Sequence, residues 1–213
     1  MIKYILFDLD GTLTDPKEGI TKCVQYALKH FGIERECDEL VEFIGPPLKE
    51  HLMEYASLSD DDGTKAVEKY RERYTPIGVF ENKIYDGILD MMSKLKEQGK
   101  VLAVATSKPT VYSQMICDKY GISPYIEFLS GSELDGRNTD KADVIKIAMD
   151  YLGASKDNTI MVGDRIHDCI GAWKNGIPFV GVSYGYASDG EFAEIDAPIA
   201  DSVCELSQIL EKL

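Results

Sequence analysis

The sequence predicts an α/β protein with a doubly wound, Rossmann-like parallel sheet and an inserted all-helical domain. The sheet is predicted by four short apolar runs that alternate with segments of helical periodicity. The insertion is predicted by the interval between the first and second runs, which is too long for a single crossover helix. At 213 residues, the chain is long enough for one sizeable domain with a smaller inserted one.

The apolar runs have the composition of strands that are buried on both faces of a parallel sheet. A weaker strand is expected at residues 126–129, and a short edge strand near residues 198–200. The four strong runs cover residues 1–6, 101–105, 159–162 and 179–182.

Helical patterns fill the intervals between the strands. In the core, apolar stripes cover residues 88–95 and 144–152, and Pro109 suits the first position of a further helix. We assign residues 1–15 and 80–213 to the core and residues 16–79 to the insertion, which we expect to lie over the carboxyl edge of the sheet. The helical segments of the insertion are expected at residues 20–31, 40–44, 48–55 and 59–74.

Two aromatic features are interpreted as structural. Tyr70 and Tyr74 flank three charged residues, so this segment is expected to form a solvated helix face. Trp173 is expected to be a packing anchor.

The composition excludes several classes of partner. A formal charge of −14 argues against nucleic acid and anionic membrane surfaces, which are bound by dense lysine and arginine. The five cysteines are scattered without a CxxC pair, so neither a disulfide framework nor a zinc site is expected. No run approaches the ~18 apolar residues of a membrane span, and no signal peptide is recognised, so we expect a cytoplasmic protein. The sequence leaves the oligomeric state open.

Two carboxylates follow the first apolar run, one residue apart. Asp8 and Asp10 stand at the carboxyl end of a predicted buried strand, and Gly11 then lets the chain turn away. Carboxylates are rarely buried without a partner, so this pair indicates a cation or a reaction. Capping of a turn is the alternative, but the buried strand before the pair and the Gly-Thr after it favour a functional site.

Further polar groups are expected at the same edge, because the carboxyl ends of parallel strands meet there. Thr106 and Ser107 end the second run. Asp164 ends the third run, and Asp168 follows about one helical turn later. Lys141 stands at the start of a helix between these two runs. Carboxylates, a hydroxyl, a helix-start amide and a lysine together suit phosphoryl transfer with Mg²⁺.

In this order, the motifs resemble those of the haloacid dehalogenase superfamily, and within it the phosphoglycolate phosphatase-like hydrolases with a helical cap inserted after the first motif. The segment from Asp8 to Thr12 matches the first motif, Thr106 the second and Lys141 the third. Asp164 and Asp168 match the fourth, so the resemblance covers essentially the whole chain. Dehalogenases of the superfamily lack an acid two residues after the nucleophile, so the second aspartate of the first motif favours the phosphatases.

The resemblance implies a role for each matched acid. Asp8 is the nucleophile that attacks phosphorus, and Asp10 is the general acid and base. Mg²⁺ is held by Asp8, the backbone carbonyl of Asp10 and Asp164. Asp168 supports the surroundings of the metal.

The resemblance also implies contacts for the phosphoryl oxygens. Thr106 and the Ser107 amide grip these oxygens, and Lys141 neutralises their charge. Lys108 is a rival for the role of that cation, since it lies near the same strand end. Arg165 departs from the smaller residue often found at its position in the phosphoglycolate enzymes, which leaves the leaving-group preference open.

The resemblance therefore implies a Mg²⁺-dependent phosphomonoester hydrolase that acts on a small phosphorylated metabolite through an aspartyl-phosphate. A sugar phosphomutase, a 5′-nucleotidase and a pyrophosphatase are alternatives with the same site. A catalytically silent binding protein is the alternative from another class, although none of the charged site residues is missing. The sequence leaves the physiological substrate open.

Overall fold

The structure of the chain, a computed structural model, describes residues 1–213 and contains eight strands and eight α-helices. None of the helices is both long enough and apolar enough to cross a membrane. The strands are β1 (Tyr4–Phe7), β2 (Thr14–Asp15), β3 (Lys83–Ile84), β4 (Val101–Pro109), β5 (Ile126–Ser132), β6 (Thr159–Gly163), β7 (Phe179–Val182) and β8 (Ile199–Ala200). The helices are α1 (Lys17–His30), α2 (Leu48–Ala56), α3 (Asp60–Tyr74), α4 (Ile88–Glu97), α5 (Thr110–Lys119), α6 (Lys141–Leu152), α7 (Ile166–Lys174) and α8 (Val203–Leu210).

Six of the strands form one parallel sheet in the order β5-β4-β1-β6-β7-β8. From β1 the chain adds β4 and β5 on one side, and then returns to add β6, β7 and β8 on the other. The winding direction therefore reverses at β1, and ligands of such sheets bind outside the carboxyl ends of the strands at that point. The prediction of a doubly wound parallel sheet is confirmed.

Both faces of the central strands are buried. Leu6, Ala103 and Met161 belong to one apolar cluster that also contains residues of α6 and α7. Ile5 and Phe7 alternate with Leu6 and point to the opposite face, where they are fully buried as well. Burial on both faces explains why these runs are continuously apolar rather than alternating.

The chain divides into two compact units. The first consists of Met1–Asp15 and Ile84–Leu213 and contains the six-stranded sheet. The second, Pro16–Lys83, contains α1, α2 and α3. The helix expected at residues 40–44 is a 3₁₀ helix that spans Cys37–Phe43.

Within the second unit, α1 packs closely against the segment after α3. The Gly19 amide donates to the Glu81 carbonyl at 2.8 Å, and a Cβ at Gly19 would lie 2.1 Å from the Gly78 carbonyl oxygen. Only glycine allows this approach. The Glu81 carboxylate accepts two hydrogen bonds from the Arg73 guanidinium, at 2.7 and 3.0 Å, and it also pairs with Lys22 at 3.2 Å.

Three local predictions are wrong. Tyr70 and Tyr74 are 7% and 2% exposed, because they form a stripe at helical spacing on the buried face of α3. Trp173 is 53% exposed, since α7 turns Cys169 and other residues inward instead. Pro109 ends β4 with a ψ of 132°, so α5 begins at the following residue.

Candidate active site

The parallel register of β1, β4 and β6 brings the predicted site residues to one edge of the sheet. Asp8 directly follows β1, and its amide donates to the Val162 carbonyl of β6 at 2.9 Å. Asp164 directly follows β6, and Asp168 lies in the first turn of α7. Lys141 is the first residue of α6.

Three buried carboxylates gather around one point at this edge. Asp8, Asp164 and Asp168 each offer one oxygen, and these oxygens lie within 4.8 Å of one another. The Lys141 ammonium lies 2.7 Å from Asp8 Oδ1 and 2.8 Å from Asp168 Oδ1. It also donates to the Ala105 carbonyl of β4 at 3.3 Å. One buried lysine therefore connects β4, the end of β1 and the start of α7.

Hydrogen bonds from two loops hold the Asp164 carboxylate. Thr12 Oγ1 donates to Asp164 Oδ1 at 3.3 Å, and the Tyr186 amide donates to Asp164 Oδ2 at 2.8 Å. Gly11 has a φ of 81°, and a Cβ at this position would lie 2.0 Å from Asp164 Oδ2. Glycine is required there for the turn and for the space. Sequence reasoning missed Tyr186, for which the signal was that β7 ends at this same edge.

The Asp10 carboxylate pairs with Lys108. Lys108 Nζ donates to Asp10 Oδ2 at 2.5 Å, and the two side chains are 8% and 14% exposed. The other carboxylate oxygen of Asp10 is buried and accepts no hydrogen bond. Burial raises the pKa of Asp10, an effect that Lys108 opposes. The two lysines that the sequence left as rivals thus contact different aspartates of the first motif.

Thr106 and Ser107 lie in an irregular part of β4. The pairing of β4 with β5 shifts register beyond Ala105, which interrupts the regular ladder. Thr106 is buried, and its hydroxyl oxygen accepts a hydrogen bond from the Lys108 amide at 3.3 Å. The Ser107 carbonyl accepts a hydrogen bond from Ser132 Oγ at 2.7 Å. Both residues therefore lie beside the lysine that contacts the first motif.

Burial and neighbouring charges shift the pKa values of three residues of the site. Burial raises the pKa of Asp164 well above its ordinary value, and the charges of Asp168 and Asp8 add to this effect. Burial also raises the pKa of Asp168 to about 6, although Lys141 acts in the opposite direction. Burial of Lys141 lowers its pKa, but the charges of Asp168 and Asp8 outweigh burial and raise it. Lys141 is therefore held as an ammonium ion.

The residues present fit a divalent cation. Four carboxylates and two ammonium groups line this edge, so negative charge is in excess when the carboxylates are ionised, and a divalent cation offsets it. Carboxylate and carbonyl oxygens are also the ligands that Mg²⁺ prefers. Of the four carboxylates, three lie close enough together to hold one ion. The carboxylates are those of Asp8, Asp10, Asp164 and Asp168, and the ammonium groups are those of Lys108 and Lys141.

Glu191 braces the start of α7, and sequence reasoning missed it. Its carboxylate accepts hydrogen bonds from the Ile166 amide at 2.6 Å, the Ser188 amide at 2.7 Å and Arg165 Nε at 3.0 Å. The Arg165 amide in turn donates to Asp168 Oδ2 at 3.0 Å. Hydrogen bonds and the Arg165 charge lower the pKa of Glu191 against the opposing effect of burial. No local pattern marks this glutamate, because two of its three partners, Arg165 and Ile166, are about 25 residues away in the chain.

Residues 5–182 match the family described as haloacid dehalogenase-like hydrolase. A crystal structure of a predicted phosphatase from Clostridium acetobutylicum has a TM-score of 0.95 and is 46% identical, with full coverage of both chains. A 5′-nucleotidase from Pseudomonas aeruginosa is 41% identical over 97% of this chain and 95% of its own length. The tyrosine-protein kinase PtkA of Mycobacterium tuberculosis is 33% identical over 99% of this chain and 72% of its own length.

The family match covers most of the chain and includes the sheet from β1 to β7 and the acidic residues at the strand ends. The alignment with the nucleotidase extends over both units of the chain. The chain therefore belongs to the haloacid dehalogenase-like hydrolase family, and it is a phosphatase of that family.

Proposed function

We propose that this phosphatase is a Mg²⁺-dependent phosphomonoester hydrolase that forms an aspartyl-phosphate on Asp8. The observation that carries the proposal is the buried group of three carboxylates around Lys141. Such a group is costly to bury unless a cation and an anionic substrate use it. The substrate proposed is a small phosphorylated metabolite, in keeping with a site at the strand ends, while the acidic chain argues against nucleic acid.

In the first step, a carboxylate oxygen of Asp8 attacks phosphorus while the ester bond to the leaving oxygen breaks. Asp10 donates its proton to that oxygen, so the leaving group departs as an alcohol. The raised pKa of Asp10 suits it to carry this proton. Thr106 and the Ser107 amide bind the phosphoryl oxygens, and Lys141 neutralises their negative charge.

In the second step, Asp10 takes a proton from water as the water oxygen attacks the phosphorus of the aspartyl-phosphate. The bond between phosphorus and the Asp8 oxygen breaks, which releases inorganic phosphate and restores both aspartates. Asp10 thus returns to its protonated form for the next turnover.

The metal ligands proposed are Asp8, the backbone carbonyl of Asp10 and Asp164, with Asp168 supporting their surroundings. When bound, Mg²⁺ supplies positive charge to the phosphoryl oxygens and orients them for attack. We further propose that the helical insertion, residues 16–79, is a cap that excludes water during the first step.

As substrates we propose nucleoside 5′-monophosphates first, because the relative from Pseudomonas is named a 5′-nucleotidase. Phosphoglycolate, which the phosphoglycolate phosphatase-like motifs suggest, is the second candidate. A hexose 1-phosphate tests for a sugar phosphomutase, since a mutase returns the 6-phosphate rather than free phosphate. Pyrophosphate tests for a pyrophosphatase. ATP with a tyrosine peptide tests for kinase activity, because the relative from Mycobacterium tuberculosis is named a tyrosine-protein kinase.

The proposal is tested with Asp8→Asn and with the matched control Asp150→Asn, which changes an exposed carboxylate of α6. We expect the wild type and the control to release phosphate from an aryl phosphate only when Mg²⁺ is present, and Asp8→Asn to release none. Acid quenching during turnover is expected to trap phosphate on the peptide that contains residue 8. Retained turnover by Asp8→Asn contradicts the nucleophile, and Mg²⁺-independent turnover contradicts the metal.

A further inference from the structure

The loop after β7, residues 183–187, is tied to the first motif by two phenols; we call it the tyrosine loop. Tyr184 donates through its hydroxyl to the Thr12 carbonyl at 3.0 Å. Tyr186 donates through its hydroxyl to the Asp15 carboxylate. The two bonds therefore attach the tyrosine loop to the segment that directly follows the site residues of the first motif.

The same loop lies against the Asp164 carboxylate. Besides the hydrogen bond from the Tyr186 amide, Gly185 packs so closely that a Cβ there would lie 2.5 Å from Asp164 Cβ and 2.3 Å from the Gly11 carbonyl oxygen. The other oxygen of Asp164 accepts the bond from Thr12 Oγ1. The carboxylate is therefore held on one side by the first motif and on the other by the tyrosine loop.

These contacts form a closed ring of hydrogen bonds. Tyr184 binds the Thr12 carbonyl, the Thr12 hydroxyl binds Asp164, and Asp164 accepts the Tyr186 amide. Burial raises the pKa of both phenols, so both remain protonated donors at neutral pH. The Tyr184 ring also packs edge-on against Tyr85, with centroids 5.1 Å apart, which limits its rotation.

From this geometry we propose that Tyr184 and Tyr186 are positioning residues that align the Asp164 carboxylate for the divalent cation. The inference rests on the proposed function, because it requires a cation at this site. Carboxylates that ligate metals depend on hydrogen-bonding partners for their orientation, and loss of such partners weakens metal binding. Neither tyrosine needs to contact substrate for this role.

The test uses the double variant Tyr184→Phe/Tyr186→Phe, which removes both hydroxyls and keeps both rings. Tyr151→Phe is the matched control, since Tyr151 is 66% exposed on α6 and packs on Phe128 through its ring. Mg²⁺ binding is measured by calorimetry without substrate. We expect the double variant to raise the Kd for Mg²⁺ about tenfold, the lower end of the effect of losing such partners. The control is expected to bind as the wild type does.

Kinetics separate positioning from a direct role in catalysis. Positioning predicts that the Mg²⁺ concentration for half-maximal activity rises while kcat at saturating Mg²⁺ stays close to that of the wild type. A fall in kcat that saturating Mg²⁺ does not restore overturns the inference. A lower unfolding temperature with unchanged Mg²⁺ affinity also overturns it, because the hydroxyls then serve folding alone.

The failure of this inference is distinguishable from failure of the proposed function. If the wild type binds no Mg²⁺, both the proposed function and the positioning role are wrong. If the wild type and the double variant bind Mg²⁺ equally, only the positioning role is wrong. Should the double variant fail to fold, Tyr184→Phe and Tyr186→Phe are measured singly. Each is expected to weaken Mg²⁺ binding by a smaller factor, and unchanged binding in both overturns the inference.

Discussion

Lys141 Nζ lies 2.7 Å from Oδ1 of Asp8, and both side chains are almost fully buried. The same ammonium also contacts Asp168, so a single cation from α6 neutralises charge on two other elements of the site. In the proposed mechanism, this places the nucleophile beside the cation that receives the charge of the phosphoryl group.

Lys141→Met is expected to abolish phosphatase activity and to destabilise the protein. Removing one partner of a buried ion pair leaves an uncompensated charge, so the free energy of unfolding should fall by about 3–5 kcal/mol. The control is Lys146→Met, which breaks an exposed pair with Asp150 on the same helix. Urea unfolding measures the stability of each variant, and phosphate release measures its activity. Equal stability of the two variants would contradict a stabilising role for the buried ion pair.

The stability of the metal-free protein is expected to depend on Asp168 between about pH 4 and pH 6. Its pKa rises from 3.8 to about 6 on folding, chiefly through burial, so in this window the native state binds more protons than the unfolded state. Stability from this group is therefore lost as pH rises through the window. Unfolding of the wild type and Asp168→Asn in a chelator should show the wild type losing stability relative to the variant; parallel pH profiles would refute this.

Glu191→Ala is expected to loosen the start of α7. It removes a carboxylate that accepts two amide hydrogen bonds and one from Arg165, so the free energy of unfolding should fall by about 1.5–3 kcal/mol. Because the Arg165 amide binds Asp168, we also expect weaker Mg²⁺ binding. Glu194→Ala changes an exposed glutamate of the same segment and serves as the control. Equal Mg²⁺ affinity and stability in both variants would show that the hydrogen bonds of Glu191 have no effect on the site or on folding.

The ion pair between Glu81 and Arg73 should account for part of the stability that the second unit loses at low pH. Hydrogen bonds from Arg73 lower the pKa of Glu81 below its ordinary value of 4.5. Stability from this pair is therefore fully present above pH 4.5 and lost as pH falls through the lowered pKa. Glu81→Gln should destabilise the protein at pH 7 by about 1.5–3 kcal/mol and much less at pH 3.

The control for this pair is Glu72→Gln, which alters an exposed glutamate that pairs with Lys69 on α3. Its stability is expected to stay near that of the wild type at both values of pH. Denaturant unfolding at each pH provides the comparison. A loss for Glu81→Gln that is as large at pH 3 as at pH 7 would be inconsistent with an ionic pair.

The strands and their polar ends could be predicted from the sequence because both signals are local. A run buried on both faces is continuously apolar, and the residue after it stands at the carboxyl edge whatever the order of the strands. Asp8 and Asp164 were found in this way. The prediction for Tyr70 and Tyr74 is wrong because the three charged residues between them indicate a solvated face, whereas their four-residue spacing places both on the buried face of α3.

The partners of the site residues could not be predicted, since they depend on contacts between distant parts of the chain. Asp10 pairs with a lysine 98 residues away, and Tyr184 binds the Thr12 carbonyl across 172 residues. Strand order brings such pairs together, but side-chain direction decides which of two nearby lysines contacts which aspartate. The sequence places both Lys108 and Lys141 near this edge of the sheet, and only their side-chain contacts distinguish them.

The lack of side chains at Gly11 and Gly185 also matters for engineering. Because a methyl group at either position would collide with Asp164 or its surroundings, libraries made to retarget the enzyme to other phosphoesters should hold both codons constant.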